Sequence, residues 1–450
     1  MKNTSVIPGA AAAALLWIAA AFSGSFASYP EGAEEMPVAE LTALLCAAGV
    51  LYLAAIWKAR DEEAGTFAVV FAIGLLMRAA AFFAHPVLED DYFRYLWDGA
   101  VAARGINPYA FSPAEAVSAN AGDALLLLAQ NSGGVAGRIN HAELTTVYPP
   151  AAQAFFALSH LAGAWSVNVW RAVLLAADVA TFLILRRVCR GRANPAIYWW
   201  NPLAVFTIFF SCHMEALILP FAAGAVWAAG KKRGVLAAFL LAVSVSVKLW
   251  TAVLAGAVAR EAGGAAKKTF ALLALCAGAA AVTTLPLFLY AFGENSGIAA
   301  YAESWENNSS FFRITLFLCE TAVEAAGFHT GHGQFAARVA TCALIACGAV
   351  YASTSGRWQK ADLAGRCLFI SALVFLVIPT QFPWYYCWVV PFLAMRSGGA
   401  KWSLLALTAL LPLYYLKYGA VTGAAADALV WIQFIPVWIM LVFENLRGNK

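Results

Sequence analysis

The chain has 450 residues, of which 62% are hydrophobic and only 12% charged, with a mean hydropathy of +0.72. A soluble chain normally carries about a quarter charged residues, so a globular aqueous fold is excluded and a bilayer must solvate most of the surface. The net charge of +4 is distributed in short clusters between apolar runs, which excludes a nucleic-acid footprint. No nucleotide-binding loop of the P-loop or GxGxxG type occurs.

A membrane helix needs roughly 20 apolar residues, within a range of about 17–25. The first candidate, about 6–23, follows Met1 and Lys2 and is read as a retained helix, because further apolar spans follow it at about 38–57 and 66–84. A long polar segment, about 85–148, comes next. The half-length apolar stretch 149–164 opens at Pro149-Pro150 and predicts a juxtamembrane or re-entrant helix. Further spans are expected at about 168–185, 196–211, 213–229 and 268–291. The stretch 234–259, interrupted by Lys248, predicts a bent helical pair. After a second long segment, about 292–335, come spans near 336–352, 366–381, 384–395, 402–416 and 428–443. The expected fold is therefore all-α and polytopic: a single membrane domain over residues 1–450 with about 11–14 transmembrane helices. The nine cysteines lack a CxxC pair and read as small apolar residues rather than a disulfide or metal framework.

Positive charge orients the chain. With the N-terminus in the cytoplasm, twenty of the 29 Lys and Arg fall in cytoplasmic segments, including Lys2, Arg60, Arg190, Arg192, Lys360 and Lys450. The exceptions are Arg78, Arg94, Arg104, Arg138, Arg171, Lys248, Arg313, Arg338 and Lys417. Acidic residues such as Glu31, Glu34, Glu35, Glu89, Asp90, Asp91, Asp98 and Glu294 then lie outside, in loops whose two longest members are 85–148 and 292–335. Structureless connections beyond about 12–15 residues are usually functional, so the chemistry belongs on the outer face.

The first long loop opens with Glu89, Asp90 and Asp91, followed by Tyr92-Phe93-Arg94-Tyr95-Leu96-Trp97-Asp98-Gly99. Three adjacent carboxylates repel one another, which suits a general base that must accept a proton near neutral pH. They also suit a solvated helix N-terminus, favoured by the helix dipole. Candidate phosphate-binding cations are Arg94, Lys248, Arg171 and Arg313, and an ionisable residue inside a membrane span, such as Lys248, is a functional candidate by default. His213 and Glu215 stand two residues apart at an expected outer helix end, either as a structural pair or as substrate contacts. Trp305, Trp384, Tyr385 and Tyr109 fit an interfacial aromatic belt or stacking on a sugar. Asp178, within a span, has no assigned role.

The ordered series of the acidic loop, Gly105-Ile106-Asn107-Pro108-Tyr109, Tyr148-Pro149-Pro150, Asn201-Pro202-Leu203 with His213 and Glu215, the central Lys248 and Pro383-Trp384-Tyr385 resembles the C-type (GT-C) membrane glycosyltransferases, in their polyprenyl-phosphate-sugar-dependent mannosyltransferase-like branch. The resemblance covers about 85–395 and departs from the usual Asp-x-Asp by reading Glu89-Asp90-Asp91. It implies a multi-pass inner-membrane enzyme with an outward-facing site, transferring a hexose such as mannose from a polyprenyl-phosphate donor to a lipid or glycan acceptor. The implied base is Asp91 or Asp90, with Glu89 beside them; Arg94, Lys248, Arg171, His213, Glu215, Arg313, Tyr148 and Trp384 are the implied substrate contacts. No cofactor is required, although a Glu-x-Asp pair is also compatible with a divalent metal. A lipid-saccharide flippase and a lipid-diphosphate-dependent O-antigen ligase or polymerase remain the alternatives at this point. The topology predicts that a cysteine at position 120 is labelled from outside, and one at position 190 only after permeabilisation. The reverse pattern would invert the orientation.

Overall fold

The computed structural model describes residues 5–28, 36–59, 67–118, 122–189, 194–293, 295–327, 331–359, 361–396, 401–419 and 421–448. Lys2, Glu31, Glu34, Glu35, Arg60, Asn120, Arg190, Arg192, Glu294, Lys360 and Lys450 lie outside the described residues. The fold is all helical; among the described residues the only β-type pairing is an isolated bridge between Asn307 and Thr380.

Six described helices are long and apolar enough to cross a membrane: Val6–Ser28, Val38–Lys58, Val167–Val188, Ala266–Leu289, Gly331–Thr354 and Gly423–Leu446. The spans expected at 196–211 and 213–229 form one bent pair, Pro202–Phe210 and Met214–Gly230, with an angle of 105°. Shorter apolar helices occupy Phe67–Ala81, Gly234–Val247 and Leu363–Val377. The expected spans 384–395 and 402–416 are likewise broken, each into a 3-10 segment and a short α-helix. Proline marks several of these breaks, whereas the bend between Phe210 and Met214 falls at Ser211, left-handed Cys212 and His213. Pro202, Pro220, Pro383, Pro391 and Pro412 each sit in the first turn of a segment, where the missing N–H is harmless, and none continues the helix before it.

The chain divides into two compact units: residues 1–88, 182–210 and 306–450 form one, and 89–181 with 211–305 the other. In the first, Arg78 is buried under the Trp199 ring, 3.5 Å from its centroid, and donates to the carbonyls of Gly74 and Trp199. An intramembrane cation is thus satisfied by an indole face and backbone oxygens. None of the described cysteines is disulfide-bonded; Cys212, Cys276, Cys367 and Cys387 are buried, while Cys342 and Cys347 are exposed on the Gly331–Thr354 span.

In the second unit the acidic loop folds at once into the Asp91–Ala103 helix, which packs along Pro150–Ala162. The approach is close because Gly99 has no side chain: a Cβ there would lie 2.3 Å from the Phe156 carbonyl oxygen. The two long loops are joined in this unit, where the Thr145 N–H donates to the Asn295 carbonyl at 2.8 Å. Gly99→Ala forces backbone apart rather than a flexible side chain, so it is expected to destabilise the protein by about 1–3 kcal/mol. Thermal unfolding of the purified variant measures this, and an unchanged midpoint would contradict the packing.

Candidate active site

Glu89, Asp90 and Asp91 share one loop-to-helix junction, with Asp90 at the N-cap and Asp91 as the first helical residue. Asn140 spans two of them: its Nδ2 donates to Asp90 Oδ1 at 2.6 Å and to Asp91 Oδ1 at 3.1 Å. The other Asp91 oxygen, Oδ2, faces His213 Nδ1 at 3.6 Å, and His213 Nε2 lies 4.0 Å from Glu89 Oε2. The Tyr95 hydroxyl stands 3.5 Å from the same Nδ1. His213 is fully buried, whereas the Asp91 side chain keeps 27% of its surface open. Asp91 is therefore a carboxylate with one oxygen held by Asn140, the other facing His213, and part of its surface still exposed.

Arg94, expected as a substrate contact, reaches the loop that carries Asn140. Its guanidinium donates to the carbonyls of Leu144 at 3.0 Å, His141 at 2.8 Å and Asn140 at 3.3 Å. His141 holds a left-handed φ of 46°, rare for a non-glycine residue, and its ring meets Trp305 edge-on at 4.5 Å. Cys212, immediately before His213, is also left-handed, with φ 60°. Its carbonyl accepts from Trp170 Nε1 at 2.8 Å, and its side chain is hydrogen-bonded by Arg171, which also donates to Asn168 at 3.1 Å. Strain of this kind persists only where neighbours hold it, as Trp170 does here.

Lys248 sits where the Gly234–Val247 helix stops, and its ammonium forms a close ion pair with Glu215. The Glu215 side chain is 1% exposed, and its second oxygen, Oε2, has no hydrogen-bond partner among the described residues. Asp91 and Lys248 both act electrostatically on His213, and Asp91 also acts on Glu215. The helix break and the bend thus assemble Asp91, His213, Glu215 and Lys248 into one charged cluster.

Behind it, Asp98 accepts from Gln153 Nε2 at 3.0 Å, and the same Nε2 is 3.1 Å from Thr146 Oγ1. Burial pushes the Asp98 carboxyl up from its ordinary range, while Arg94 pulls it back. Tyr148 packs edge-on against Tyr95 and Phe156, and its carbonyl accepts from the Tyr109 hydroxyl at 2.8 Å. Burial raises the phenol pKa of both Tyr95 and Tyr148, which keeps them neutral donors.

Two expected substrate contacts belong to the other unit. Arg313 donates to Asp427 at 2.7 Å and lies 3.7 Å from Glu306, and Trp384 is 5% exposed, stacked on Phe382 at 4.3 Å. Asn140, Gln153 and Trp170 escaped the sequence reading, because an isolated amide or indole carries no spacing signal; only the fold gives each a charged or strained partner. Among the described residues no group of three or more His, Cys, Asp and Glu is arranged to hold a metal ion.

An all-α, multi-span membrane protein with a buried cluster of carboxylates, histidine and lysine is the class that the geometry defines. Residues 6–262, more than half of the chain, match the MptA_B family, described as Alpha-(1->6)-mannopyranosyltransferase, N-terminal domain. The chain belongs to that family, and mannose transfer by a membrane glycosyltransferase is the chemistry this membership carries. No curated protein and no solved structure matched it.

Arg94→Met removes the donor from three carbonyls, each worth about 1–3 kcal/mol when left buried and unmet. Hydrogen exchange is expected to lose protection at Thr145 while the Pro150–Ala162 helix keeps its own. Unchanged protection at Thr145 would show that Arg94 does not hold the loop.

Proposed function

We propose that the protein transfers mannose from a polyprenyl-phosphate-mannose donor to a lipid or glycan hydroxyl, on the extracytoplasmic face of the cytoplasmic membrane, forming an α-(1→6) bond. The observation that carries this reading is the Asp91 carboxylate, 27% exposed, held by Asn140 and facing His213, within electrostatic reach of the Glu215–Lys248 pair. The acceptor oxygen attacks the anomeric carbon as Asp91 takes its proton, the sugar–phosphate C–O bond breaks, and polyprenyl phosphate leaves as an anion. A base must lie within about 3 Å of the hydroxyl, directly or through one water, and Asp91 has the open side for it. Asp90 is the second candidate; its shorter contact to Asn140 favours a positioning role.

Lys248 is the cation for the departing phosphate, and 20% of its side chain remains exposed toward a ligand. A phosphate arriving there competes with Glu215 for the ammonium. Such charge-assisted contacts stabilise developing negative charge more strongly where water is excluded. Arg94 contributes indirectly, by fixing the loop that presents Asn140.

Asp91→Asn is expected to lower turnover by about 10²–10⁴, the range for a lost general base, with donor binding retained. Asp90→Asn tested beside it should cost less, and wild-type rates in both would remove the acidic junction from the mechanism. Lys248→Met should weaken donor binding while leaving the chain folded; normal turnover at low donor concentration would assign Lys248 to packing alone.

A further inference from the structure

Trp305 comes from the second long loop, yet it lies in the same compact unit as the acidic junction. The short helix Gly297–Ser304 carries it there, and that helix is fixed at its start. Thr145 donates both its N–H, at 2.8 Å, and its hydroxyl, at 3.2 Å, to the Asn295 carbonyl. Gly297 then passes so close that a Cβ would stand 2.3 Å from the Thr145 carbonyl oxygen. At the far end the half-buried Trp305 indole meets the His141 imidazole edge-on at 4.5 Å and the Tyr301 ring at 5.8 Å. A helix gripped at both ends keeps its aromatic groups in one pose, which lowers the ordering cost of binding.

The polar partners of this aromatic group come from the first long loop. His141 follows directly on Asn140, whose amide holds Asp90 and Asp91. Its Nδ1 lies 3.5 Å from the Glu143 carboxylate, and both side chains are open, 52% and 66% exposed. The left-handed φ of His141, 46°, is the kind of strain that collects at binding sites. An indole beside an exposed carboxylate and imidazole does not suit a hydrocarbon chain, which would strip water from a charged group. A hexose is matched on both counts. Its C–H face packs on an aromatic ring, and its hydroxyls donate to a carboxylate and exchange hydrogen bonds with an imidazole.

The geometry also separates this group from the phosphate cation. Asp91 turns one oxygen to Asn140, the neighbour of His141, and the other to His213, on which Lys248 acts. We propose, on the basis of the mannose-transfer reading above, that Trp305, with Tyr301, His141 and Glu143, binds a hexose of the acceptor glycan beside the hydroxyl that Asp91 deprotonates.

Saturation-transfer NMR of the purified full chain with α-(1→6)-mannotriose tests the site without turnover. The wild type is expected to bind the trisaccharide, Trp305→Leu to weaken it about tenfold, and Trp305→Phe, which keeps a ring, to restore most of the binding. Glu143→Ala should cost about threefold. Phe292→Leu, which removes a 94%-exposed ring elsewhere in the same unit, should change nothing. In transfer from polyprenyl-phosphate-mannose, Trp305→Leu should raise the acceptor KM by the same factor and leave kcat and the donor KM unchanged. A wild type that binds mannotriose through Trp305 but transfers no mannose would overturn the transfer reading and leave the sugar site standing. Mannotriose binding that is absent from the wild type, or equal in the wild type and Trp305→Leu, would overturn the site.

Discussion

The guanidinium of Arg94 gathers the carbonyls of Asn140, His141 and Leu144, and the acidic junction depends on that clamp. Asn140, whose carbonyl Arg94 holds, reaches Asp90 and Asp91, and His141, whose carbonyl it also holds, keeps a left-handed conformation. The same helix that carries Arg94 approaches Phe156 through Gly99, so the clamp sits on a rigid support. A planar fork with five donors can serve several carbonyls at once, which a lysine ammonium cannot match geometrically.

Polar chemistry inside an apolar chain requires broken helices. A continuous span satisfies its own backbone and offers nothing to a ligand. Here the bend between Phe210 and Met214 brings His213 to Asp91, and the helix stop at Lys248 delivers the ammonium to Glu215. Left-handed Cys212 is the local cost of the bend, and the Trp170 indole holds its carbonyl. The buried Glu215–Lys248 pair would be expensive to desolvate for stability alone, since such pairs roughly break even against apolar packing. One oxygen of Glu215, Oε2, has no hydrogen-bond partner among the described residues, so the pair is not fully satisfied as a purely structural element would be.

Much of this was legible in the residues. Hydropathy gave the helical membrane class, and the charged residues that interrupt apolar runs, Lys248 and Glu215, proved to be partners. Helix interruptions at Pro202, Pro383 and Pro412 could have been read as well, but an apolar run scores as a span whether or not its backbone continues. Residue type alone did not reveal that Arg94 holds a loop, because a cation's partners are set by what the fold places within reach of it. Arg313 and Trp384 satisfied the same composition rules and fall in the other unit, against Asp427 and Phe382. Asn140 carried no signal at all, since an asparagine in a polar loop is unremarkable until two carboxylates stand beside it.

The central claim is that a lipid-phosphate sugar is the donor and Asp91 the base that its transfer needs. Purified protein incubated with radiolabelled polyprenyl-phosphate-mannose and, separately, with a radiolabelled nucleotide-mannose, each with membrane glycolipid acceptors, tests both parts together. The account predicts labelled acceptor from the lipid donor alone, and its loss in Asp91→Asn. Transfer from the nucleotide sugar, or undiminished transfer by Asp91→Asn, would contradict it.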